Sequence, residues 1–158
     1  MISFKEESKK FNFRVSAIVL NKNKTKVLLH TIKGYDFYLL PGGRLEWFED
    51  CKMAIKRELK EEIGLVDIEP KERLFMENYF IFNNVEFQEI TMNFVVELDE
   101  KHKKLEELEE FCGIEGEKYL YRWVDLKDID DYIIKPYVLK KIIKNFSKGF
   151  EYLIFDEK

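Results

Sequence analysis

Cysteine is scarce: Cys51 and Cys112 are the only two in 158 residues. That is too few for a disulfide framework, which excludes the small stapled scaffolds of secreted proteins. Cys51 falls on the apolar stripe of a predicted helix and reads as a buried free thiol rather than a reactive one. Long apolar runs are missing too. No stretch approaches the roughly 18 residues of a membrane span, and the N-terminal MISFKEESKKFNF lacks the apolar core of a signal peptide. The expectation is a cytoplasmic protein with no membrane partner. Nor is there a basic stripe: the formal net charge is −4, with charges of both signs spread along the chain. Nucleic acid is therefore disfavoured as a bulk partner. A small phosphorylated ligand stays compatible, because a bound metal can reverse the local field. Internal repeats, low-complexity tracts and linkers are absent as well. What is present is 46% hydrophobic and 15% aromatic residues, enough for one compact domain over residues 1–158. Residues 1–10 read as a frayed lead-in or a short edge element.

Strand signals follow in order. Phe13 to Leu20 reads as a strand, residues 21–25 as a turn, and Lys26 to Thr31 as its hairpin partner. His30, in that second strand, has no sequence partner and reads as an ordinary strand residue. Phe37 to Leu40 should run into Pro41, Gly42 and Gly43, where two glycines let the backbone approach a ligand closely. Beyond the central helix, 66–68 and Arg73 to Phe82 suggest one long or broken strand. Its antiparallel partner, Glu86 to Leu98, follows the Asn83-Asn84 turn. Residues 101–110 read as a short helix or a solvated loop, broken at Gly113 to Gly116. Lys118 to Val124 is a further strand and 125–128 opens a short turn or helix. Pro136 suits the first position of a final helix through Phe146, which Gly149 ends. Residues 150–155 add a last short strand. The alternation predicts an α/β fold with a mixed sheet covered by helices.

Everything is organised around GRLEWFEDCKMAIKRELKEEIGL, Gly43 to Leu65. Asp50 is a natural N-cap and Gly64 a natural terminator, so the stretch between them should form three to four helical turns. On that helix Glu58, Glu61 and Glu62 share an arc of about 100°. Cys51, Ile55, Leu59 and Ile63 lie beside it as an apolar stripe. Lysine and glutamate on a helix usually form a solvated face, but three like charges so close repel and call for something positive between them. Clustered carboxylates suit a hard divalent cation, Mg²⁺ or Mn²⁺, better than zinc.

This segment resembles the Nudix box, G-x5-E-x7-R-E-U-x-E-E-x-G-U with U aliphatic. Gly43, Glu49, Arg57, Glu58, Leu59, Glu61, Glu62, Gly64 and Leu65 all stand where the pattern asks. The resemblance implies a Nudix fold, an α/β/α sandwich around a mixed sheet. It also implies a metal-dependent pyrophosphohydrolase in which water attacks phosphorus in a nucleoside triphosphate or a nucleoside diphosphate derivative. By the same resemblance Glu58, Glu61 and Glu62 are metal ligands, one of them doubling as base, and the carbonyl of Gly42 adds another. Arg57 and Glu49 brace the loop against the helix. The family often adds an acidic residue from a later loop; Glu117 is the first choice and Glu115 the second, with Glu89 a third candidate. Glu89 and Arg44 are the candidate substrate contacts, Arg44 reading equally as a phosphate ligand or an exposed charge. Phe37, Tyr38, Trp47, Tyr79 and Phe80 fall near the expected cleft, each read as core filling before base stacking. Two alternatives stand beside the hydrolase. One is a Nudix-fold module that binds a nucleotide without turnover, although all the box glutamates are kept; the other is an RNA 5′-end pyrophosphohydrolase, which would need a basic groove. Many family members are dimers, so a homodimer is compatible with the resemblance.

Overall fold

The computed structural model describes residues 1–157. Its elements are β1 (Ser3–Glu6), β2 (Lys9–Leu20), β3 (Lys26–Ile32), β4 (Gly42–Arg44), α1 (Cys51–Ile63), β5 (Lys71–Phe82), β6 (Val85–Glu97), α2 (Lys103–Glu106), β7 (Glu110–Gly113), β8 (Gly116–Asp125), α3 (Leu139–Lys144) and β9 (Glu151–Asp156). The strands form one mixed sheet in the order β7-β8-β3-β2-β6-β5-β9, with β1 and β4 each paired to β2.

The centre of the sheet is β2, which pairs in parallel with β6 along its whole length, from Lys9↔Glu86 to Leu20↔Glu97. Its last residues, Val15 and Ala17 to Leu20, are fully buried. A continuous apolar run is what a strand covered on both faces requires. One face packs Val15, Ala17, Val19 and Phe94 against Ala54, Ile55 and Leu59 of α1. The other packs Ile18, Leu20, Leu74 and Met76 against Leu139, Ile142 and Ile143 of α3. Helices on both faces make the α/β/α sandwich that the sequence predicts.

Several local expectations are revised. β2 and β3 do not form a hairpin ladder: they share only the Leu20↔Val27 pair, and β3 pairs with β8 instead. That split opens the sheet where β4 inserts against β2. For residues 1–10 the short edge element holds rather than the frayed lead-in: Ser3–Glu6 folds back on β2 through Glu7, which turns with φ 52°. Residues 37–40 make only isolated bridges, His30↔Leu39 and Tyr38↔Ile134. Residues 66–68 lie outside β5, which starts at Lys71. Glu110–Gly113, expected as the tail of a loop, is a strand paired with β8. The final helix is shorter than predicted, Leu139–Lys144, and Pro136 precedes it after a cis Lys135-Pro136 bond. Cys112 is exposed and Cys51 only half-buried. Among the described residues, no helix is long and apolar enough to cross a membrane.

His30 is an ordinary buried strand residue, as expected, and it carries a pH signature. Its ring stacks on Tyr121 at 4.6 Å, and Nδ1 lies 3.3 Å from the Leu120 carbonyl oxygen. Burial pulls its pKa from 6.5 down to about 4. The folded state therefore resists a proton that the unfolded chain accepts below pH 6.5. Stability should fall by up to about 3 kcal/mol as pH drops from 6.5 to about 4. Chemical denaturation of wild type and His30→Phe across that window measures it. The gap between them should shift in favour of the phenylalanine variant as pH falls, and parallel curves would contradict the assignment.

Candidate active site

The site begins at β4. Gly42 pairs with Ser16 and Gly43 with Val15. Gly42 has φ 151°, and a methyl group there would run into the Val15 carbonyl. A methyl group on Gly43 would collide with the Glu58 carboxylate. Both glycines are therefore required, one by its backbone and one by the side chain packed on it. Further along, α1 starts at Cys51 as the sequence predicts: Asp50 accepts from the Met53 N–H at 2.8 Å, and Gly64 closes the helix with φ 69°.

Arg57 knits loop and helix together. Its Nε donates to Glu49 Oε1 at 2.7 Å and one terminal nitrogen to Glu49 Oε2 at 2.9 Å, a forked pair. The same nitrogen donates to the Arg44 carbonyl at 3.0 Å. The other terminal nitrogen donates to Glu58 at 2.8 Å and Glu61 at 3.2 Å. Arg57 holds the Glu49 carboxyl below its ordinary pKa, and the carboxylates hold the guanidinium well above its own.

Glu62 is 6% exposed, deeper than its place at the edge of the helix stripe suggests. The Gly42 N–H donates to its Oε2 at 3.2 Å, and the Tyr121 hydroxyl is hydrogen-bonded to it. Burial first, then Glu58 and Glu115, push its pKa up to about 8. Burial also raises Glu58, outweighing the help it receives from Arg57. The three helix glutamates thus share one neighbourhood without converging on one point. Among the described residues, no three acidic, histidine or cysteine side chains are gathered closely enough to hold a metal ion. The donor set still fits a hard divalent cation. Its donors are all oxygens, Glu62 is buried and opposed by two further carboxylates, and Glu58 is pressed onto a glycine that leaves it room.

A cavity of about 370 Å³ opens beside this cluster. Lys10, Arg14 and Arg44 line one flank. Arg14 and Arg44 are direct cross-strand partners, an arrangement in which like charges repel. The Arg44 Nε is buried and unpartnered, and its pKa is lowered by burial and by Arg14. Glu89 also lines the cavity and accepts from Asn12 at 3.1 Å. On this flank Lys10, Arg14 and Arg44 outnumber the Glu89 carboxylate and make a place for an anion, while Lys135 and Glu157 also line the cavity. The two regions touch, since Arg14 acts electrostatically on Glu62 and Arg44 on Glu58.

Of the predicted residues, Gly42, Glu49, Arg57, Glu58, Glu61 and Glu62 come together, and Arg44 and Glu89 face the neighbouring cavity. The two loop acids are placed differently. Glu115, in the turn between β7 and β8, lies within electrostatic range of Glu58, Glu62 and Tyr121. Glu117 is already on β8, exposed, and enters none of those interactions; its carbonyl oxygen instead accepts from the Cys112 thiol. Phe37 and Phe80 line the cavity, Tyr38 packs on Tyr132, and Trp47 is 63% exposed. Missed by sequence reasoning were Arg14, Lys10 and Tyr121. Their signal lies in cross-strand pairing, which a local pattern does not carry.

Comparison with known proteins supplies an independent line. A family model described as the NUDIX domain matches residues 10–146. Three solved structures, under 25% identical, share the fold. A MutT mutator protein from Bacillus halodurans is 15% identical, covering 92% of this chain and 91% of its own, with a TM-score of 0.68. The Escherichia coli dihydroneopterin triphosphate pyrophosphohydrolase is 18% identical over 85% of this chain and 93% of its own, with a TM-score of 0.62. The Caenorhabditis elegans Ap4A hydrolase is 14% identical over 86% and 96%, with a TM-score of 0.58. No curated protein matches the sequence.

Proposed function

The chain belongs to the Nudix family, and from that premise we propose that it is a metal-dependent hydrolase of a phosphoanhydride bond in a nucleoside triphosphate or nucleoside diphosphate derivative. The observation that carries this reading is the union of a carboxylate cluster, Glu62 buried within it, with a cation-lined cavity across β4. Glu58, Glu61, Glu62 and the Gly42 carbonyl are the groups that would hold Mg²⁺ or Mn²⁺, with Glu115 the nearest additional acid. Such an ion, when bound, neutralises phosphate oxygens and makes a bound water more acidic. Arg57 keeps Glu49, Glu58 and Glu61 in place through four hydrogen bonds from one guanidinium and ties them to the Arg44 carbonyl through a fifth. Arg14, Arg44 and Lys10 would bind the phosphates remote from the scissile bond, relieving their mutual repulsion. A carboxylate beside the attacking water takes its proton as the P–O bond to the leaving phosphate breaks.

The deciding experiment measures phosphate and nucleoside products from nucleoside triphosphates, sugar nucleotides, dinucleoside polyphosphates and 5′-triphosphate RNA, with Mg²⁺, with Mn²⁺ and with chelator. Metal-dependent cleavage of a small nucleotide is the expected result. Tight binding of one compound with no cleavage of any would replace the hydrolase by a nucleotide-binding module.

A further inference from the structure

Three polar side chains on the cavity floor have no business in an apolar interior unless something meets them. Asn78, Thr91 and Asn93 are 2%, 5% and 0% exposed, and all three line the cavity. Asn78 Oδ1, Thr91 Oγ1 and Asn93 Nδ2 are each buried without a hydrogen-bond partner. An orphaned buried polar atom costs roughly 1–3 kcal/mol, so three in one cavity constitute a standing penalty that a bound ligand would remove. They are not scattered. Thr91 and Asn93 alternate along one face of β6, and Asn78 pairs across β5 with Glu89 of the same face.

The free atoms have a direction. The Ser16 hydroxyl donates to Asn93 Oδ1, which leaves Nδ2 as the free donor. At the other end, Asn78 Oδ1 is a free acceptor and the Glu89 carboxylate stands beside it. Thr91 between them can donate or accept. Read along the strands, the floor offers donor, either, acceptor. Above it, Tyr35, Phe37 and Phe82 form an aromatic cluster, with Tyr35 and Phe37 stacked at 4.8 Å and Phe82 edge-on to both. Lys135 lies 4.4 Å over the Phe37 ring.

We propose that Asn78, Thr91 and Asn93 read the edge of a nucleobase that carries a carbonyl at one end and an exocyclic amine at the other. Guanine is the preferred base and cytosine the smaller one of the same chemistry. The carbonyl faces Asn93 Nδ2, the ring nitrogen faces Thr91, and the amine faces Asn78 Oδ1 and Glu89. Adenine sets its amine directly beside a ring-nitrogen acceptor, so it can meet two neighbouring positions of the row but leaves one of the two end groups, Asn93 Nδ2 or Asn78 Oδ1, unpaired. Uracil has no amine and sets a carbonyl against two acceptors. The breadth of the aromatic wall favours the double ring. This assignment rests on the hydrolase reading for the phosphate end of the ligand, while the base end stands on the orphaned atoms.

The test is calorimetric binding of GMP, IMP, CMP, AMP and UMP to the metal-free protein, beside hydrolysis of the matching triphosphates. GMP should bind about tenfold or more tightly than AMP or UMP, the factor expected from one unpaired buried partner. IMP, which lacks the amine, should fall behind GMP in wild type and draw level in Asn78→Leu. Asn93→Leu and Thr91→Val should weaken GMP. Thr91→Val removes an orphaned atom at nearly constant volume, so a melting temperature at or above wild type is expected and separates lost recognition from lost fold, whereas Asn93→Leu also takes the acceptor from the buried Ser16 hydroxyl and should melt somewhat lower. Thr91→Val, the gentler change, decides if a leucine variant fails to fold. Equal binding of all five, or no GMP binding at millimolar concentration, overturns the proposal. So does a GMP preference that survives the substitutions. Equal hydrolysis of all the triphosphates would remove the base reading and leave the hydrolase intact. Selective GMP binding with no cleavage under either metal would do the reverse.

Discussion

Glu62→Gln should lower turnover by about three orders of magnitude while making the metal-free protein more stable. The loss of activity follows from the position of Glu62 at the centre of the carboxylate cluster, where a neutral amide binds a hard cation poorly. The gain in stability follows from burial. A carboxyl whose pKa rises from 4.5 to about 8 is favoured in its protonated form by the fold, so its ionisation works against folding. The contribution is harmless below pH 4.5, grows as pH rises, and is complete above pH 8. At 1.36 kcal/mol per pH unit the full cost is about 5 kcal/mol, an upper bound. Thermal melts of both proteins in chelator at pH 5 and pH 8.5 give the check. The advantage of the glutamine variant should be small at the lower pH and large at the higher one. Added Mg²⁺ or Mn²⁺ should stabilise wild type more than the variant. A variant with wild-type turnover would remove Glu62 from the reaction, and a variant less stable than wild type at pH 8.5 would remove the electrostatic account.

Arg57→Lys should be nearly as damaging, for a reason that conservation of charge does not repair. Arg57 engages Glu49 through two nitrogens and reaches the Arg44 carbonyl, Glu58 and Glu61 besides. A lysine ammonium is a point donor and cannot hold that fork. Glu49, whose side chain is 11% exposed, would lose the partner that keeps it ionised. The expected result is a stability loss of about 2–4 kcal/mol and a fall in kcat of about a hundredfold, with KM moving less. Steady-state kinetics with a denaturation curve distinguish this from a substrate contact. An effect confined to KM would place Arg57 on the substrate instead of behind the glutamates.

The sequence makes the glutamate-bearing helix readable and the cavity beside it obscure, for physical reasons. Helix α1 is coded locally: Asp50, the apolar spacing of Ile55 and Leu59, and Gly64 are all within one stretch of chain. The Asn83-Asn84 turn, with φ 51° and 61°, likewise announces the β5-β6 hairpin. The parallel pairing of β2 with β6 is set by residues more than seventy positions apart, so neither strand announces the other. The opposition of Arg14 and Arg44, and the alignment of Asn78 with Glu89, follow from such pairings. A trace was nevertheless present. Glu89, Thr91 and Asn93 alternate as polar residues along a strand whose final residues are core, an irregularity that burial rules make costly. Spacing alone does not separate Glu115 from Glu117, because the exit of a tight turn determines which side chain comes near the helix glutamates.

The last strand alters what counts as the domain. β9 lies beyond residues 10–146, the span shared with the family, yet it pairs in parallel with β5 from Leu74↔Glu151 to Tyr79↔Asp156. Arg73, 1% exposed, ties it in from the neighbouring strand by donating to the carbonyls of Asn145 and Gly149 and pairing with Glu151 at 3.0 Å. Without those residues β5 would offer water, and any passing chain, an open row of amide and carbonyl groups. Asn78 sits on that strand. The sheet of this molecule therefore extends past the stretch matched to the family, and a fragment ending at residue 146 should bare the edge of β5 and aggregate more readily than the full chain.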